Sequence, residues 1–278
     1  MTNYIQDKAI IVTGAASGFG RSVALKTATM GARVVCADIN TAAVNQIADE
    51  LTANGHAASA MTCDVSDLES FKATVDLTIS RYGGVDVLLN SAGIMPLAFF
   101  ANHASAMPHW ERCIDINFRG VLNGCAAVHD QMISQGHGHI INLSSIYGNH
   151  PVLGGAVYGA TKAAVNFLAE SLRIEARGKI KVTMIKPSAV PTTGLSDTIL
   201  DQQAGIGSIA HNIDAFLETL EQLATGCCPP DKQNPDSMEL VALNAEQVAD
   251  AIVHVINQPW GVNISDITLR ASADYCVI

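Results

Sequence analysis

Tyr158 and Lys162 are the residues of this 278-residue sequence whose types and spacing first suggest chemistry. On a helix, residues i and i+4 lie on one face, so the phenol and the ammonium would be neighbours. A free tyrosine has a pKa of about 10, and a nearby positive charge lowers that pKa by favouring tyrosinate. The pair therefore predicts a phenol that exchanges a proton near neutral pH, with an exposed helix pair as the alternative interpretation.

Two further polar positions precede this pair and would assist the proton transfer. Ser145 stands 13 residues before Tyr158 and follows an apolar segment, so its hydroxyl is predicted to hold a substrate oxygen; Ser144 is the alternative. Asn117 lies inside a helical pattern, where Asn is unfavourable, and it predicts a kink holding a water linked to Lys162. The alternatives are a turn or cap for the serines and a satisfied polar helix residue for Asn117.

A glycine turn near the start of the chain predicts a phosphate site. Gly14, Gly18 and Gly20 follow an apolar run and precede a helical pattern. Glycines let the backbone turn sharply and approach a ligand closely, and a helix N-terminus favours an anion. We therefore expect a pyrophosphate between this strand and helix, with Ser17 and Phe19 also in contact with it.

An acidic residue indicates which dinucleotide binds. Asp38 ends the second apolar segment, 18 residues after Gly20, where a carboxylate accepts hydrogen bonds from both ribose hydroxyls and repels a 2′-phosphate. Ile39 follows it, so the next position is not basic, and neither Arg21 nor Arg33 is placed for a phosphate. The sequence thus predicts NAD rather than NADP, with a turn acid before a helix cap as the alternative.

Strand-like and helix-like segments alternate along the chain and would place these residues. Alternating units with apolar strands predict an α/β fold, a doubly wound parallel sheet of Rossmann type, with ligands beyond the carboxyl ends of the strands. The predicted strands span residues 8–13, 32–38, 56–63, 85–89, 139–143, 180–185 and 264–269. The predicted helices span residues 18–30, 41–53, 67–82, 108–135, 157–176 and 245–257.

The segment Ser188–Glu239 interrupts this alternation and predicts a partly helical substrate lid, with helical spacing over residues 213–223. The predicted substrate pocket is largely apolar and contains no arginine to hold a carboxylate. It therefore favours an uncharged secondary alcohol or ketone of cyclic, aromatic or steroid-like shape. The pocket residues are Met95, Ser145, Ile146, His150, Val152, Tyr158, Ser188 and Val190.

The composition limits the class of protein. Hydrophobic residues make up 49% and charged residues 15%, which predicts one folded domain over residues 1–278 rather than a disordered chain. A net charge of −10 without a basic block disfavours nucleic-acid binding. The sequence shows neither a signal peptide nor a membrane-spanning run, so we expect a cytoplasmic protein. Its seven scattered cysteines predict reduced thiols and no metal site.

The ordered set of motifs resembles the short-chain dehydrogenases/reductases over roughly residues 8–187. The set comprises Thr13-Gly14-x-x-x-Gly18-x-Gly20, Asn90-Ser91-Ala92-Gly93, Asn117, Ser145 and Tyr158-x-x-x-Lys162. The resemblance implies a catalytic tetrad of Asn117, Ser145, Tyr158 and Lys162, with Lys162 on the nicotinamide ribose. It also implies further NAD contacts from Asp64, Val65, Asn90, Ala92, Gly93, Pro187, Val190 and either Thr192 or Thr193, and a homo-oligomer, dimer or tetramer, formed through the helices at 108–135 and 157–176.

The sequence departs from that family in four places. Ser91 replaces the second Asn of the usual Asn-Asn-Ala-Gly, Ser188 replaces the Gly that usually follows Pro187, the lid is longer, and residues 270–278 lack the Asp-Gly-Gly ending that many members carry. The expected activity is reversible hydride transfer between NAD and the alcohol or ketone. The alternatives are a non-catalytic dinucleotide-binding regulator, a reductase of 3-oxoacyl thioesters, and epimerase or dehydratase chemistry on nucleotide sugars.

Overall fold

A seven-stranded parallel sheet forms the centre of the protein, in the strand order β3-β2-β1-β4-β5-β6-β7. The structure is a computed structural model that describes residues 2–191 and 193–278. The strands are β1 (Ala9–Thr13), β2 (Arg33–Asp38), β3 (Ala58–Thr62), β4 (Val87–Asn90), β5 (His139–Leu143), β6 (Lys181–Pro187) and β7 (Asp266–Leu269). The predicted doubly wound sheet is confirmed, and the reversal of strand order between β1 and β4 places a crevice at their carboxyl ends.

Helices cover both faces of the sheet because the strands are apolar on both faces. In β1, Ile10 and Val12 face one core and Ile11 faces the other, as the period of two in a strand requires. The first core is closed by α1 (Gly18–Thr29), α2 (Thr41–Ala53) and α8 (Ala245–Ile256). The second is closed by α3 (Leu68–Tyr82), α5 (Gly120–Gln135) and α6 (Ala156–Glu175).

The helix predicted over residues 108–135 is present, but it begins five residues earlier and changes its hydrogen-bond pattern in the middle. The chain forms α4 (His103–Ile114), a π-helical turn at Asp115–Arg119, and then α5. Pro108 lies inside α4 rather than in its first turn. Asn117, where a kink is predicted, lies in this π-helical turn, a feature that often accompanies functional sites in helices.

The segment predicted as a lid contains four short 3₁₀ turns and the helix α7 (Ile213–Ala224), which confirms the helical spacing over residues 213–223. Residues 270–278 fold back across it. The Asn212 side chain donates to the carbonyl of Tyr275, and the amide of Val277 donates to the carbonyl of Ser208. None of the helices in the described residues is long and apolar enough to cross a membrane.

Candidate active site

Two adjoining cavities lie at the carboxyl ends of the strands. The glycine-turn cavity, of about 320 Å³, is bounded by residues that follow β1, β2, β3 and β4. The lid cavity, of about 350 Å³, is bounded by residues that follow β5 and β6 and by the lid segment. The two cavities share the wall residues Phe19, Ser144, Tyr158, Thr193 and Leu195.

The glycine turn is packed too tightly for side chains at two of its positions. Gly14 has a φ of +67°, and a Cβ there would lie 2.9 Å from the Ala92 backbone. A Cβ on Gly20 would lie 2.3 Å from the carbonyl oxygen of Gly14. Ser17 precedes α1 without a side-chain cap, so the N–H groups of the first turn remain for a ligand. This cradle fits a pyrophosphate.

Asp38 lies at the rim of the same cavity and is held in place by backbone groups. Its carboxylate accepts hydrogen bonds from the amides of Ala16 at 3.1 Å and Asn40 at 2.9 Å. Each carboxylate oxygen keeps a second lone pair for a ribose hydroxyl. The neighbouring arginines are engaged elsewhere: Arg21 pairs with Glu50, and Arg33 donates to the carbonyls of Asp7 and Tyr82.

Most residues predicted to bind the cofactor line one of the two cavities. The exceptions are Gly20, which packs against Gly14, and Asn90, whose buried side chain donates to Asn142 Oδ1 at 2.8 Å. Thr192 lies outside the described residues. The glycine-turn cavity is lined by Gly14, Ser17, Gly18, Phe19, Asp38, Ile39, Asp64, Val65, Ala92, Gly93, Tyr158 and Lys162. Pro187 and Val190 line the lid cavity instead.

Tyr158 and Lys162 project from the first two turns of α6, as their spacing predicted. The Lys162 Nζ donates to the carbonyl of Leu143 at 2.7 Å and lies 5.7 Å from the centre of the Tyr158 ring. Ser145 accepts a hydrogen bond from the amide of Tyr147 at 3.2 Å. Ser144 donates to Asn166 Oδ1 at 2.6 Å, which leaves Ser145 as the better placed of the two serines.

Burial controls the titration of this pair. It raises the pKa of Tyr158 well above its usual value of 10, although a hydrogen bond with Ser145 opposes the shift. It also lowers the pKa of Lys162 to about 8. The hydrogen bond with Ser145 does not offset the desolvation of the Tyr158 phenol, and a lowering of its pKa by Lys162 stays a prediction.

Asn117 is fully buried in the π-helical turn and fixes the loop that follows β4. Its Oδ1 accepts from the Ile94 amide at 2.9 Å, and its Nδ2 donates to the Ile94 carbonyl at 2.8 Å. A Cβ on Gly93 would lie 3.3 Å from Asn117 Oδ1 and 3.8 Å from Lys162 Nζ. Asn117 and Lys162 therefore meet beside Gly93 at the edge of the glycine-turn cavity.

The predicted substrate residues divide into two groups. Met95, Ser145, Ile146, Tyr158, Ser188 and Val190 line the lid cavity. His150 is exposed, and neither it nor Val152, which both follow a 3₁₀ turn at Ile146–Gly148, lines either cavity. The buried Ser188 Oγ has no hydrogen-bond partner among the described residues.

The sequence reasoning missed several polar residues of the lid cavity. Tyr147 was within reach of that reasoning, since it lies two residues after Ser145 in a turn that Ser145 caps. The others come from distant parts of the chain, and their mutual approach had no local signal. They are Ser208, Thr219, Tyr275 and Cys276.

Comparisons with known proteins agree with this geometry. Residues 8–204 match the family model described as short chain dehydrogenase. An uncharacterised oxidoreductase of Listeria monocytogenes is 37% identical over 268 residues, which cover 95% of this chain and 96% of that protein.

Two solved structures share the fold over most of their length. A serine dehydrogenase complexed with NADP⁺ has 28% sequence identity and a TM-score of 0.75, and the match covers 94% of this chain and 93% of that one. A short-chain dehydrogenase/reductase from Burkholderia phymatum in complex with NAD has 26% identity and a TM-score of 0.75, covering 96% and 90%. The two similar proteins thus hold different nicotinamide dinucleotides.

Proposed function

This chain belongs to the short-chain dehydrogenase family of oxidoreductases, and from that premise we propose that it transfers a hydride between NAD and an uncharged secondary alcohol or ketone. One observation carries the proposal. Tyr158 stands in the wall shared by the glycine-turn cavity and the lid cavity, with Ser145 on the lid side and Lys162 on the glycine side. A proton-transferring phenol at that point serves a substrate in one cavity beside a cofactor in the other.

Each residue of the proposed tetrad has its own role in this reaction. Tyr158 takes the proton of the substrate hydroxyl in the oxidising direction, and Ser145 holds the substrate oxygen. Lys162, anchored by the Leu143 carbonyl, binds the nicotinamide ribose and favours the tyrosinate form. Asn117 positions the loop after β4 and, with a water, links Lys162 to solvent. The bound dinucleotide supplies the hydride acceptor.

NAD is favoured over NADP by the charge around Asp38. The carboxylate is held at the cavity rim by two backbone amides, where it would repel a 2′-phosphate. Arg112 and Lys162 are the cationic side chains among the described residues that line this cavity. They belong to α4 and α6, whereas Asp38 ends β2. The remaining arginines near Asp38 are paired elsewhere.

An uncharged substrate is favoured by the lid cavity. The described residues that line it include no aspartate, glutamate, lysine, arginine or histidine. An unpaired carboxylate or ammonium would lose its hydration there without gaining an opposite charge. Apolar side chains from the loops after β4, β5 and β6 and from the lid segment with α7 supply most of the remaining wall, and they suit a cyclic or aromatic carbon skeleton.

We further propose that the protein is a homo-oligomer, paired through α5 and α6 and the adjoining α4. These helices expose large apolar side chains, of which Phe167 is 79% and Ile174 is 61% exposed. Contact with a second copy would remove this surface from water. Sedimentation equilibrium measures the state directly, and a monomer at micromolar concentration would contradict this pairing.

The decisive experiment measures nicotinamide absorbance with NAD and NADP side by side over a panel of secondary alcohols and ketones. Tyr158→Phe is expected to lower kcat/KM by about a thousandfold or more while the dissociation constant of NAD stays within about twofold, because the ring remains and only the proton carrier is lost. Turnover close to that of the wild type in this variant would overturn the proposal.

A further inference from the structure

A seam of uncharged polar groups crosses one wall of the lid cavity, which is otherwise mostly apolar. We define the hydroxyl seam as Tyr147, Ser208, Thr219, Tyr275 and Cys276, all of which line the cavity. They come from the turn after β5, from the lid, from α7 and from the final residues. Four separate segments therefore place polar atoms on a single wall.

The groups of the seam form two hydrogen-bonded sets, one of Tyr147, Ser208 and Cys276 and one of Thr219 and Tyr275. The Tyr147 hydroxyl donates to Ser208 Oγ at 3.1 Å, and Ser208 Oγ lies 3.5 Å from Cys276 Sγ. Thr219 Oγ1 lies 2.7 Å from the Tyr275 hydroxyl. Ser208 and Thr219 are buried, so these atoms exchange bonds with one another rather than with bulk water.

The seam begins at the proposed proton carrier. The rings of Tyr147 and Tyr158 meet edge to face with their centroids 5.8 Å apart, and the Tyr147 amide donates to Ser145 Oγ. A ligand whose reacting oxygen lies at Tyr158 and Ser145 would therefore extend past the Tyr147 hydroxyl. A second polar atom on that ligand, about one ring away from the reacting carbon, would meet the seam.

We propose that the substrate carries a second, non-reacting hydroxyl group, and that Tyr147 binds it and so determines specificity. This inference rests on the proposed function. A hydroxyl group on the substrate can bond to the seam either as a donor or as an acceptor. In the series of hydrogen bonds from Tyr147 through Ser208 to Cys276, the Tyr147 hydroxyl donates its proton to Ser208. The lone pairs of the Tyr147 oxygen can therefore accept a hydrogen bond from a donor on the substrate.

The hydroxyl seam favours a neutral group over a charged one. Two cations among the described residues lie behind it. The Lys232 Nζ donates to Thr219 Oγ1 at 2.8 Å and to Gln222 Oε1 at 3.3 Å, and Arg270, which is paired with Asp274, donates to the Cys276 carbonyl at 3.0 Å. Lys232 does not itself line the cavity. A hydroxyl in this place replaces the hydrogen bonds that it loses to water, whereas a methyl group of the same size leaves the lone pairs of the Tyr147 oxygen without a donor.

The test compares matched probes in matched variants. We would measure kcat/KM with NADH for 3′- and 4′-hydroxyacetophenone and for the corresponding methylacetophenones, in the wild type and in Tyr147→Phe. For each protein, the hydroxyl-to-methyl ratio is kcat/KM for the hydroxyacetophenone divided by kcat/KM for the methylacetophenone with the substituent at the same ring position. Electronic differences between the probes cancel when this ratio is compared between the variant and the wild type. Loss of one hydrogen bond is expected to make the ratio of Tyr147→Phe about fivefold lower than that of the wild type for at least one ring position.

Tyr82→Phe is the matched control, since the Tyr82 hydroxyl also bonds a serine, Ser59 Oγ at 2.9 Å, but far from both cavities. It should leave the hydroxyl-to-methyl ratio unchanged. Ratios that are equal in the wild type and Tyr147→Phe, or that fall equally in Tyr82→Phe, overturn the assignment of Tyr147 alone. A wild-type protein that reduces none of these ketones, nor any ketone or alcohol of the wider panel, overturns the proposed function and this inference together.

Discussion

The two ends of the sheet each contain a buried lysine, and the contrast between them separates chemistry from structure. At the carboxyl end, burial lowers the pKa of Lys162 to about 8; at the amino end, it does the same to Lys181. Both ammonium groups donate to backbone carbonyls, Lys162 to Leu143 and Lys181 to Val262 at 3.1 Å. By pKa and hydrogen bonding alone, the two lysines are nearly equivalent.

Their surroundings differ. Lys162 borders a cavity and a buried phenol, whereas Lys181 is covered by Trp260, whose ring centroid lies 5.3 Å from its Nζ. Lys8 approaches the same indole ring at 4.3 Å. At the amino end, one aromatic ring thus packs against two cations. A perturbed pKa indicates a functional site only when space for a ligand adjoins the group.

The largest expected effect tests this contrast directly. Lys162→Met should lower kcat/KM by about a thousandfold, because it removes the charge beside Tyr158, whereas Lys181→Met should leave kcat/KM within about twofold. Methionine keeps the length of the buried side chain in both variants. Steady-state kinetics and thermal melting of the two proteins check the prediction. Equal loss of activity in two well-folded variants would contradict the division between the ends.

A pair of acidic residues sharpens the comparison further. Asp38→Asn should lower the ratio of kcat/KM with NAD to that with NADP by about tenfold, because the repulsion of a 2′-phosphate is lost while one oxygen acceptor remains. Asp86 is the counterpart at the amino end and accepts from the Ala9 amide and from His137. Asp86→Asn should leave the cofactor ratio unchanged. An unaltered ratio in Asp38→Asn would remove the support for NAD.

The smallest expected effect concerns stability at the amino end. His139 is fully buried between Lys8 and Lys181, and burial holds its pKa well below 6.5. As the pH falls below 6.5, His139 becomes protonated in the unfolded chain but stays neutral in the folded protein. The free energy of unfolding therefore decreases by up to about 1.4 kcal/mol per pH unit. Urea unfolding between pH 7 and pH 5 measures this slope.

His139→Gln should flatten that slope, since glutamine does not titrate and can still bond Thr183, the partner of His139 Nε2 at 2.8 Å. The exposed His150 gives the matched control, and His150→Gln should retain the wild-type slope. A slope that is the same in all three proteins would show that other groups govern the acid sensitivity.

Local patterns were enough to predict the sheet, the glycine turn and the Tyr158–Lys162 pair, because each depends on residues close together in sequence. The prediction over residues 108–135 began the helix five residues late, and the Asn117 side chain in its π-helical turn bonds a backbone group at Ile94, a contact between residues far apart in sequence that no local pattern predicts. His150 was misplaced because loop direction is set by tertiary packing. The wall formed by Ser208, Tyr275 and Cys276 had no local signal, since its members are far apart in the chain.

Residues 270–278 pack across the lid segment and supply part of the wall of the lid cavity. The groups proposed to carry out the reaction lie on or next to β5 and α6, whereas Tyr275 and Cys276 belong to a terminal segment outside every strand and helix. Substitutions in that short segment can reshape the lid cavity while the sheet and the groups beside it keep their positions. Substrate range and reaction type can therefore evolve at different rates within a single chain.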